Sequence, residues 1–393
     1  MSNIETPLKQ NKLIRITTVP MSLDKLIEGQ LAFMQSHYEV IAISSGGITL
    51  DAVGAKESVR VIPIEMSRKI TPFKDVWALW ELYKLFKKER PFIVHSHTPK
   101  AGIVGMLAAK AAGVPIRLHT VAGLPLMETR GAKRKVLNIV EKMTYACATM
   151  VYPNSFGLRD VILKNNFANK KNLKVLANGS SNGIDINCFS PSQFSNDVNS
   201  KLKKDLNISK NDIVFIFVGR LVSDKGINEL VKAFKQLVIN KNLVKLLLVG
   251  SLESDLDPLL PKTLNEIINS KHIISVGYQS DVRPYFAISN VLVFPSYREG
   301  FPNVVMQAGS MGLPSIVSDI NGCNEIIIHN ENGIIVPSKD SISLLNAMQK
   351  MFRDDELRFK LRDNSRSMIT SRYEQKLVWE ALLDEYNNQI ANV

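Results

Sequence analysis

Runs of β-branched and aliphatic residues, four to eight long, alternate with stretches of helical period along the chain. In the first half the runs are "KLIRITTV" (12–19), "YEVIAIS" (38–44), "VRVIPI" (59–64), "FIVHSH" (92–97), "IRLHTV" (116–121) and "TMVYPNS" (149–155). In the second half they are "DIVFIFVG" (212–219), "KLLLVG" (245–250), "IISVG" (273–277), "VLVFPS" (291–296), "PSIVSD" (314–319) and "GIIVP" (333–337). Between them lie helical patterns such as "FKDVWALWELYKLFKKER" (73–90). Near-continuous apolar strands separated by helices predict βαβ units and parallel sheets, buried on both faces. A polar, strand-poor stretch, 182–205, separates the two sets and reads as a linker, and the tail after residue 355 reads as helices. The prediction is α/β, with two Rossmann-like doubly wound domains facing a central cleft. They cover 1–187 and 188–373, and a C-terminal helix at 374–393 packs back on the first. In open α/β sheets, ligands bind beyond the carboxyl ends of the strands, so the strand-to-helix loops are the place to look.

Length and composition agree with that pattern. At 393 residues the chain exceeds one ordinary core, and 45% hydrophobic with 22% charged residues is usual for a globular protein. The opening "MSNIETPLKQNK" lacks the apolar core of a signal peptide, and the most apolar stretch is cut by Lys110. Cys147, Cys188 and Cys323 are widely spaced, form no metal motif and suit a reducing cytoplasm. Charge changes the picture more. Residues 1–180 hold 26 Lys and Arg against 13 Asp and Glu, a net +13, whereas 181–393 hold 23 against 24. A basic first half calls for an anionic partner, either a membrane surface or nucleic acid. No nucleic-acid recognition motif is present, and aromatics are not interleaved with the basic residues. The segment "ETRGAKRKVLNIVEKM" (128–143) instead reads as a basic amphipathic helix, with Val136, Leu137, Val140 and Met143 on one side.

Two stretches carry candidate chemistry. In "FVGRLVSDKGINELVKAF" (217–234) a strand ends at Gly219, and Arg220 and Lys225 precede a helix beginning near Ile227. Two cations beside a helix N-terminus suit a phosphate or pyrophosphate. The loop is not a Walker motif, which requires Gly-x4-Gly-Lys-Ser/Thr. In "EGFPNVVMQAGSMGLP" (299–314) Pro302 suits a first helical turn and Gly312 a left-handed cap. Helical side chains lean toward the N-terminus, so Glu299, the amides around Phe301, Pro302 and Asn303, and Gln307 converge on one volume. A sugar diphosphate could use all three: the carboxylate for sugar hydroxyls, the amides for phosphate, the glutamine for a ribose diol.

These motifs, in this order, resemble glycosyltransferase family 4, whose members are retaining, metal-independent enzymes of the GT-B fold. "NGIDINCF" resembles the family's interdomain segment, and "SDINGCNEIIIHNENGIIVP" its loop, strand and turn after the donor helix. "RITTVPMSLDKLIEGQLAFM", "VHSHTPKAG" and "LHTVAGLPL" are similar to a subgroup building capsule, O-antigen and undecaprenyl-diphosphate-linked glycans. The resemblance implies that Arg220 and Lys225 neutralise the donor diphosphate, Glu299 holds the sugar, and His119 is the active-site histidine. It places Gly29 against the diphosphate, Gly219 and Glu325 beside the donor, and His95, His97 and Asn182 as cleft candidates. The family usually has Glu where this chain has Gln307, which keeps an acceptor oxygen and loses the charge. The pair Asp255 and Asp257 in "ESDLDP" has the spacing of a metal-binding motif from a different fold and reads as a solvated acidic loop, so no metal is expected.

The implied function is transfer of a hexose or N-acetylhexosamine from a nucleotide sugar, UDP-linked, to a polyprenyl-diphosphate-linked saccharide. The enzyme would sit in the cytoplasm, peripheral on the inner membrane face, without cofactor. Two alternatives fit the same architecture: a nucleotide-sugar epimerase, and a non-catalytic saccharide- or nucleotide-binding protein, for which Gln307 is the best support.

Overall fold

The computed structural model describes residues 11–69, 71–124, 129, 131–239, 243–253 and 257–393. Two compact units emerge, one of residues up to Asn182 together with Lys376–Val393, the other Gly183–Gln375. In the first unit, β1 (Lys12–Ile16), β2 (Glu39–Ser44), β3 (Arg60–Pro63), β4 (Ile93–Ser96), β5 (Ile116–Val121) and β6 (Met150–Pro153) are joined by helices. These are α1 (Pro20–Leu26), α2 (Gln30–Gln35), α3 (Ile48–Glu57), α4 (Pro72–Glu89), α5 (Pro99–Ala112), α6 (Gly131–Cys147) and α7 (Phe156–Lys164). The second unit opens with α8 (Asn196–Asp205) and holds β7 (Ile213–Val218), β8 (Val244–Val249), β9 (Ile273–Ser275), β10 (Val291–Phe294), β11 (Ser315–Ser318) and β12 (Gly333–Val336). Its helices are α9 (Ile227–Leu237), α10 (Pro261–Asn269), α11 (Arg283–Ala287), α12 (Asn303–Ser310), α13 (Cys323–Ile326), α14 (Ser341–Arg353) and α15 (Asp355–Tyr373); α16 (Gln375–Ala391) follows.

Each unit is built on a six-stranded parallel sheet, ordered β3-β2-β1-β4-β5-β6 and β12-β11-β10-β7-β8-β9. Read from the first strand of each set, both orders are 3-2-1-4-5-6, the doubly wound arrangement with its reversal between the first and fourth strands. Period-two alternation splits each strand between two cores. In the first unit Ile14, Ile16, Ile41, Ile43 and Val94 pack under α4, α5 and α6. Leu13, Val40, Ala42, Ile93, Ile116 and Leu118 face the other way, toward α1–α3 and toward Leu382 and Tyr386 of α16. The C-terminal helix thus completes the first unit's core. Each large apolar side chain it buries contributes about 1.5–3 kcal/mol.

The units divide at Asn182/Gly183 and Gln375/Lys376, not at 187/188 and 373/374. Ile184 belongs to the second unit's core, with Ile186 and Phe189 packed against it. Ile184 N–H donates to the Tyr373 carbonyl at 2.8 Å and Gln375 N–H to the Ile184 carbonyl at 3.0 Å. Arg366 donates to the carbonyls of Phe189 and Ile186, each at 2.9 Å. The stretch 182–205 is therefore less a linker than the start of the second unit. Its last ten residues form α8, whose first turn is capped by the Ser195 hydroxyl accepting from Val198 N–H.

Candidate active site

In the second unit two laced loops bring Lys225 and Glu299 together, while no hydrogen bond or ion pair joins Arg220, Gln307 or Glu325 to that pair among the described residues. β7 ends at Val218, a 3₁₀ turn covers Ser223–Lys225, and Gly226 turns the chain into α9. Gly226 sits at φ 71°, and a Cβ there would overlap the Pro295 carbonyl oxygen after β10. Only glycine allows that approach at that conformation. Tyr297 N–H donates to the Asp224 carbonyl at 2.9 Å, and Arg298 pairs with the Asp224 carboxylate at 2.8 Å. With the loops held so, Lys225 Nζ forms an ion pair with Glu299 Oε1, their side chains 18% and 16% exposed. The buried Ser296 hydroxyl donates to the same Glu299 oxygen at 2.9 Å, and Lys225 lies over the Phe294 ring at 5.8 Å. Beneath the pair is Cys323, fully buried; burial, reinforced by the Glu299 charge, pushes its thiol well above the ordinary value. Cys323 therefore stays neutral and inert.

Glu299 leads into α12. Asn321 Nδ2 donates to the carbonyls of Glu299 and Gly300, at 3.1 and 2.8 Å, fixing the approach. Pro302 is the N-cap rather than a first-turn residue; α12 ends at Ser310 with Met311 as its C-cap, and Gly312 follows at φ 81°. Phe301 is buried edge-on to Tyr373, ring centroids 5.4 Å apart, and Pro302 has no N–H, so neither side chain is a donor. The amides of Asn303 and Val304 precede the first helical bonds and have no partner among the described residues. Gln307, one turn on, is half-exposed between buried Met306 and Ala308, and its side chain makes no hydrogen bond among the described residues. Glu325 lies in the short α13, its carbonyl accepting from Arg372 at 3.2 Å and from Tyr373 OH at 3.1 Å.

Arg220, after Gly219, pairs with Glu253 at 2.8 Å, both well exposed. An exposed pair is worth under about 1 kcal/mol, so an incoming phosphate can displace it. The acidic loop is not simply solvated. Asp257 accepts from Asp224 N–H at 2.6 Å and steadies the turn that carries Lys225. Asp255 lies outside the described residues. Sequence reasoning passed over Ser296, Asn321 and the Asp257 brace, because serine, asparagine and aspartate in loops carry no distinguishing spacing.

The first unit holds the three candidate histidines, His95, His97 and His119, and here several expectations change. The Gly29 amide is already engaged within the first unit. Its N–H donates to Glu57 Oε1 at 2.7 Å, and a Cβ there would lie 2.8 Å from the Trp379 ring of α16. Asn182 is likewise occupied. It accepts from Trp379 Nε1 at 2.7 Å and from Gln30 Nε2 at 3.2 Å, and donates to the Glu28 carbonyl at 2.9 Å. His119 lies within β5, two residues before its end, on the α5 side of the sheet. Its ring is packed so closely on Gly102 that a Cβ there could not fit, and its Nδ1 meets the Ser96 hydroxyl at 2.8 Å. Burial pulls its pKa down to about 4.

His95 and His97 lie across the sheet, around a buried guanidinium. Arg15 is fully buried; it donates to His97 Nε2 at 3.0 Å, to Tyr386 OH at 3.1 Å and to Gln30 Oε1, with no carboxylate among these partners. Burial and the Arg15 charge hold both histidines well below their ordinary pKa. Because arginine only donates, His97 Nε2 must accept, which leaves the proton of the neutral ring on Nδ1. That N–H lines a cavity of about 20 Å³ with Asn154 and Ser181, and none of His97 Nδ1, Asn154 Oδ1 and Ser181 Oγ has a partner among the described residues. A cavity that size holds about one water or one hydroxyl group.

Two doubly wound units, one of them gathering Lys225, Glu299 and the start of α12 at the carboxyl ends of β7 and β10, have the architecture expected of the GT-B fold. Comparison with known proteins agrees. Residues 198–368 match the family described as glycosyl transferases group 1, and residues 26–155 match the glycosyl transferase 4-like family. The chain is 35% identical over 387 residues to the capsular polysaccharide biosynthesis glycosyltransferase CapM of Staphylococcus aureus, covering 97% of this chain and 98% of that one. It is 30% identical over 345 residues to the UDP-Gal:alpha-D-GlcNAc-diphosphoundecaprenol alpha-1,3-galactosyltransferase of Escherichia coli, covering 86% of each. In fold it is similar to a glycosyltransferase from Rickettsia africae, TM-score 0.79 at 19% identity over 98% of this chain and 100% of that one. Anabaena Alr3699/HepE in complex with UDP and glucose gives 0.78 at 16% identity, over 96% and 100%. The chain belongs to the GT-B glycosyltransferases of family 4.

Proposed function

We propose that this glycosyltransferase moves a hexose or N-acetylhexosamine from a UDP-sugar to a saccharide on polyprenyl diphosphate, with retention of configuration and without a metal. The observation that carries the reading is the Lys225–Glu299 pair set beside the open amides of α12. When a nucleotide sugar enters, Lys225 and Arg220 exchange carboxylate partners for diphosphate oxygens, and the freed Glu299 accepts hydrogen bonds from the sugar hydroxyls. As the bond from the anomeric carbon to the diphosphate oxygen breaks, the electron pair leaves with UDP. The two cations and the α12 amides stabilise the growing charge, the role a divalent ion has elsewhere. The acceptor hydroxyl bonds to the anomeric carbon on the face the diphosphate left and passes its proton to an oxygen of the departing diphosphate. Gln307 receives the ribose diol.

The lipid-linked acceptor is supported by the E. coli relative and by a 28% identical Campylobacter jejuni relative, a diphospho-undecaprenol alpha-1,3-N-acetylgalactosaminyltransferase. An α product from an α-linked UDP-sugar keeps its configuration, which supports retention. The net charge of +13 over residues 1–180, together with relatives that act on lipid-linked acceptors, supports peripheral docking on an anionic surface; no helix among the described residues is long and apolar enough to cross a membrane. The test is a panel of UDP- and GDP-sugars with a polyprenyl-diphosphate GlcNAc acceptor, reading released nucleotide with and without EDTA, and anomeric configuration by NMR. Transfer from a UDP-sugar with an α product, unchanged by EDTA, is expected. A β product, an obligatory Mn²⁺ or Mg²⁺, or hydrolysis without transfer would overturn it.

A further inference from the structure

The first unit presents a helix face that its own core leaves uncovered. α4 packs Ala78, Leu82 and Phe86 inward. Outward it shows Phe73, Val76, Trp77 and Trp80, which are 93%, 68%, 61% and 47% exposed. Their spacing of i, i+3, i+4 and i+7 makes one stripe over two turns. Four large apolar side chains in a continuous stripe, two of them tryptophan, are not scattered surface residues. The same face continues into Lys84, Lys87 and Lys88, all exposed, with Lys84 Nζ over the Trp80 ring at 4.8 Å.

Two of the three acids of α4, Asp75 and Glu89, are turned away from that face, and Glu81 lies half-buried at its edge. Asp75, Glu81 and Glu89 are half-buried; Asp75 pairs with Lys100, and Glu89 with Lys12 at 2.6 Å and Arg60 at 2.9 Å. Every exposed position of α4 is therefore apolar or cationic. α6, on the same side of the sheet with α5 between, repeats the pattern. It exposes Val136, Ile139 and Met143 among Lys133, Lys135 and Lys142, while its Glu141 is buried. Leu137, grouped above with Val136 and Met143, packs against the core instead, and Ile139 takes its place in the outward stripe.

We infer that the α4 stripe is the element that enters an anionic bilayer, with α6 as a flanking basic contact. This rests on the membrane-docking reading above and names the surface that does it. The chemistry fits a bilayer interface: tryptophan and phenylalanine seat at headgroup depth, and lysines beside them meet anionic lipid. A protein partner of mixed charge would leave the uniformly cationic flank unmatched.

The chain has three tryptophans, and Trp379 is tied to Asn182, so Trp77 and Trp80 report on this face by fluorescence. With vesicles of phosphatidylglycerol and phosphatidylcholine, the full chain should show a blue shift and quenching by brominated acyl chains, but little with phosphatidylcholine alone. The exposed triple variant Phe73→Ser, Trp77→Ser, Trp80→Ser should keep its melting temperature and lose vesicle co-sedimentation by about tenfold or more. Ile139→Ser with Met143→Ser should lose less. If the parent binds vesicles but only the α6 variant is impaired, the inference fails while the membrane reading stands. If the parent binds no vesicle, both fail. If the parent is unquenched and the triple variant instead abolishes a lipid-independent self-association, the face joins two chains and the inference is overturned.

Discussion

Replacing Lys225 with Met keeps the aliphatic stem and removes the charge, and so tests both tasks assigned to that side chain. The first is structural. Exposed ion pairs are worth under about 1 kcal/mol and breaking fully buried ones costs about 3–5. Lys225 and Glu299, at 18% and 16% exposed, lie between. Glu299 also keeps the Ser296 hydroxyl at 2.9 Å, which softens the loss. A coupling of about 1–2 kcal/mol is expected from the cycle of Lys225→Met, Glu299→Gln and both, read from urea midpoints. The second task is catalytic. Losing one preorganised charge at the leaving diphosphate costs about 10²–10³-fold in turnover, or about 2.7–4 kcal/mol. Released UDP under saturating donor measures that. The two readouts separate, because Glu299→Gln lowers transfer while leaving affinity for free UDP nearly unchanged, whereas Lys225→Met weakens both. Turnover within threefold of the parent, together with UDP affinity unchanged, would refute the diphosphate assignment; a coupling near zero would refute the pair itself.

Gln307→Glu should tighten UDP binding about fivefold, near 1 kcal/mol, since a charged acceptor for the ribose diol is stronger than a neutral one; calorimetry reads it, and no change would remove Gln307 from the nucleotide site. Gly226→Ala should destabilise the fold by about 2 kcal/mol or more, from left-handed strain plus the clash with Pro295, and lower transfer as the two loops part; a urea midpoint equal to the parent's counts against the lacing. His119 is held neutral, its pKa near 4 against an ordinary 6.5, while the unfolded chain takes up a proton below 6.5. Stability should therefore fall as pH drops from about 6.5 toward 4, by up to roughly 1.4 kcal/mol per pH unit, with buried His95 and His97 adding in the same sense. Thermal melts from pH 7.5 to 4.5 test this, and His119→Gln should flatten the slope.

The alternation of apolar runs with helical patterns was enough to locate the strands, because a strand buried on both faces has no choice but to be apolar along its length. β5 and its apolar run coincide at 116–121. The strand-to-helix loops that carry Arg220, Lys225 and Glu299, and the start of α12, were also readable, since a strand end, a glycine turn and a helix start are set by local geometry. Two kinds of fact were not in the sequence. One is partner choice across long separations: Lys225 with Glu299, Arg220 with Glu253, Gly29 beneath Trp379. Nothing local marks such pairs, because they depend on which strand ends the sheet order sets side by side. The other is which face of a sheet or helix points inward. His119 and His95 sit on adjacent strands, yet one points into the α5 layer and the other toward α16, a difference of one residue in the strand period. On α4 and α6 the same question decided which apolar residues fill the core and which, like Trp77 and Ile139, remain outside it. Helical spacing alone allows either stripe; only the packed sheet beneath selects one.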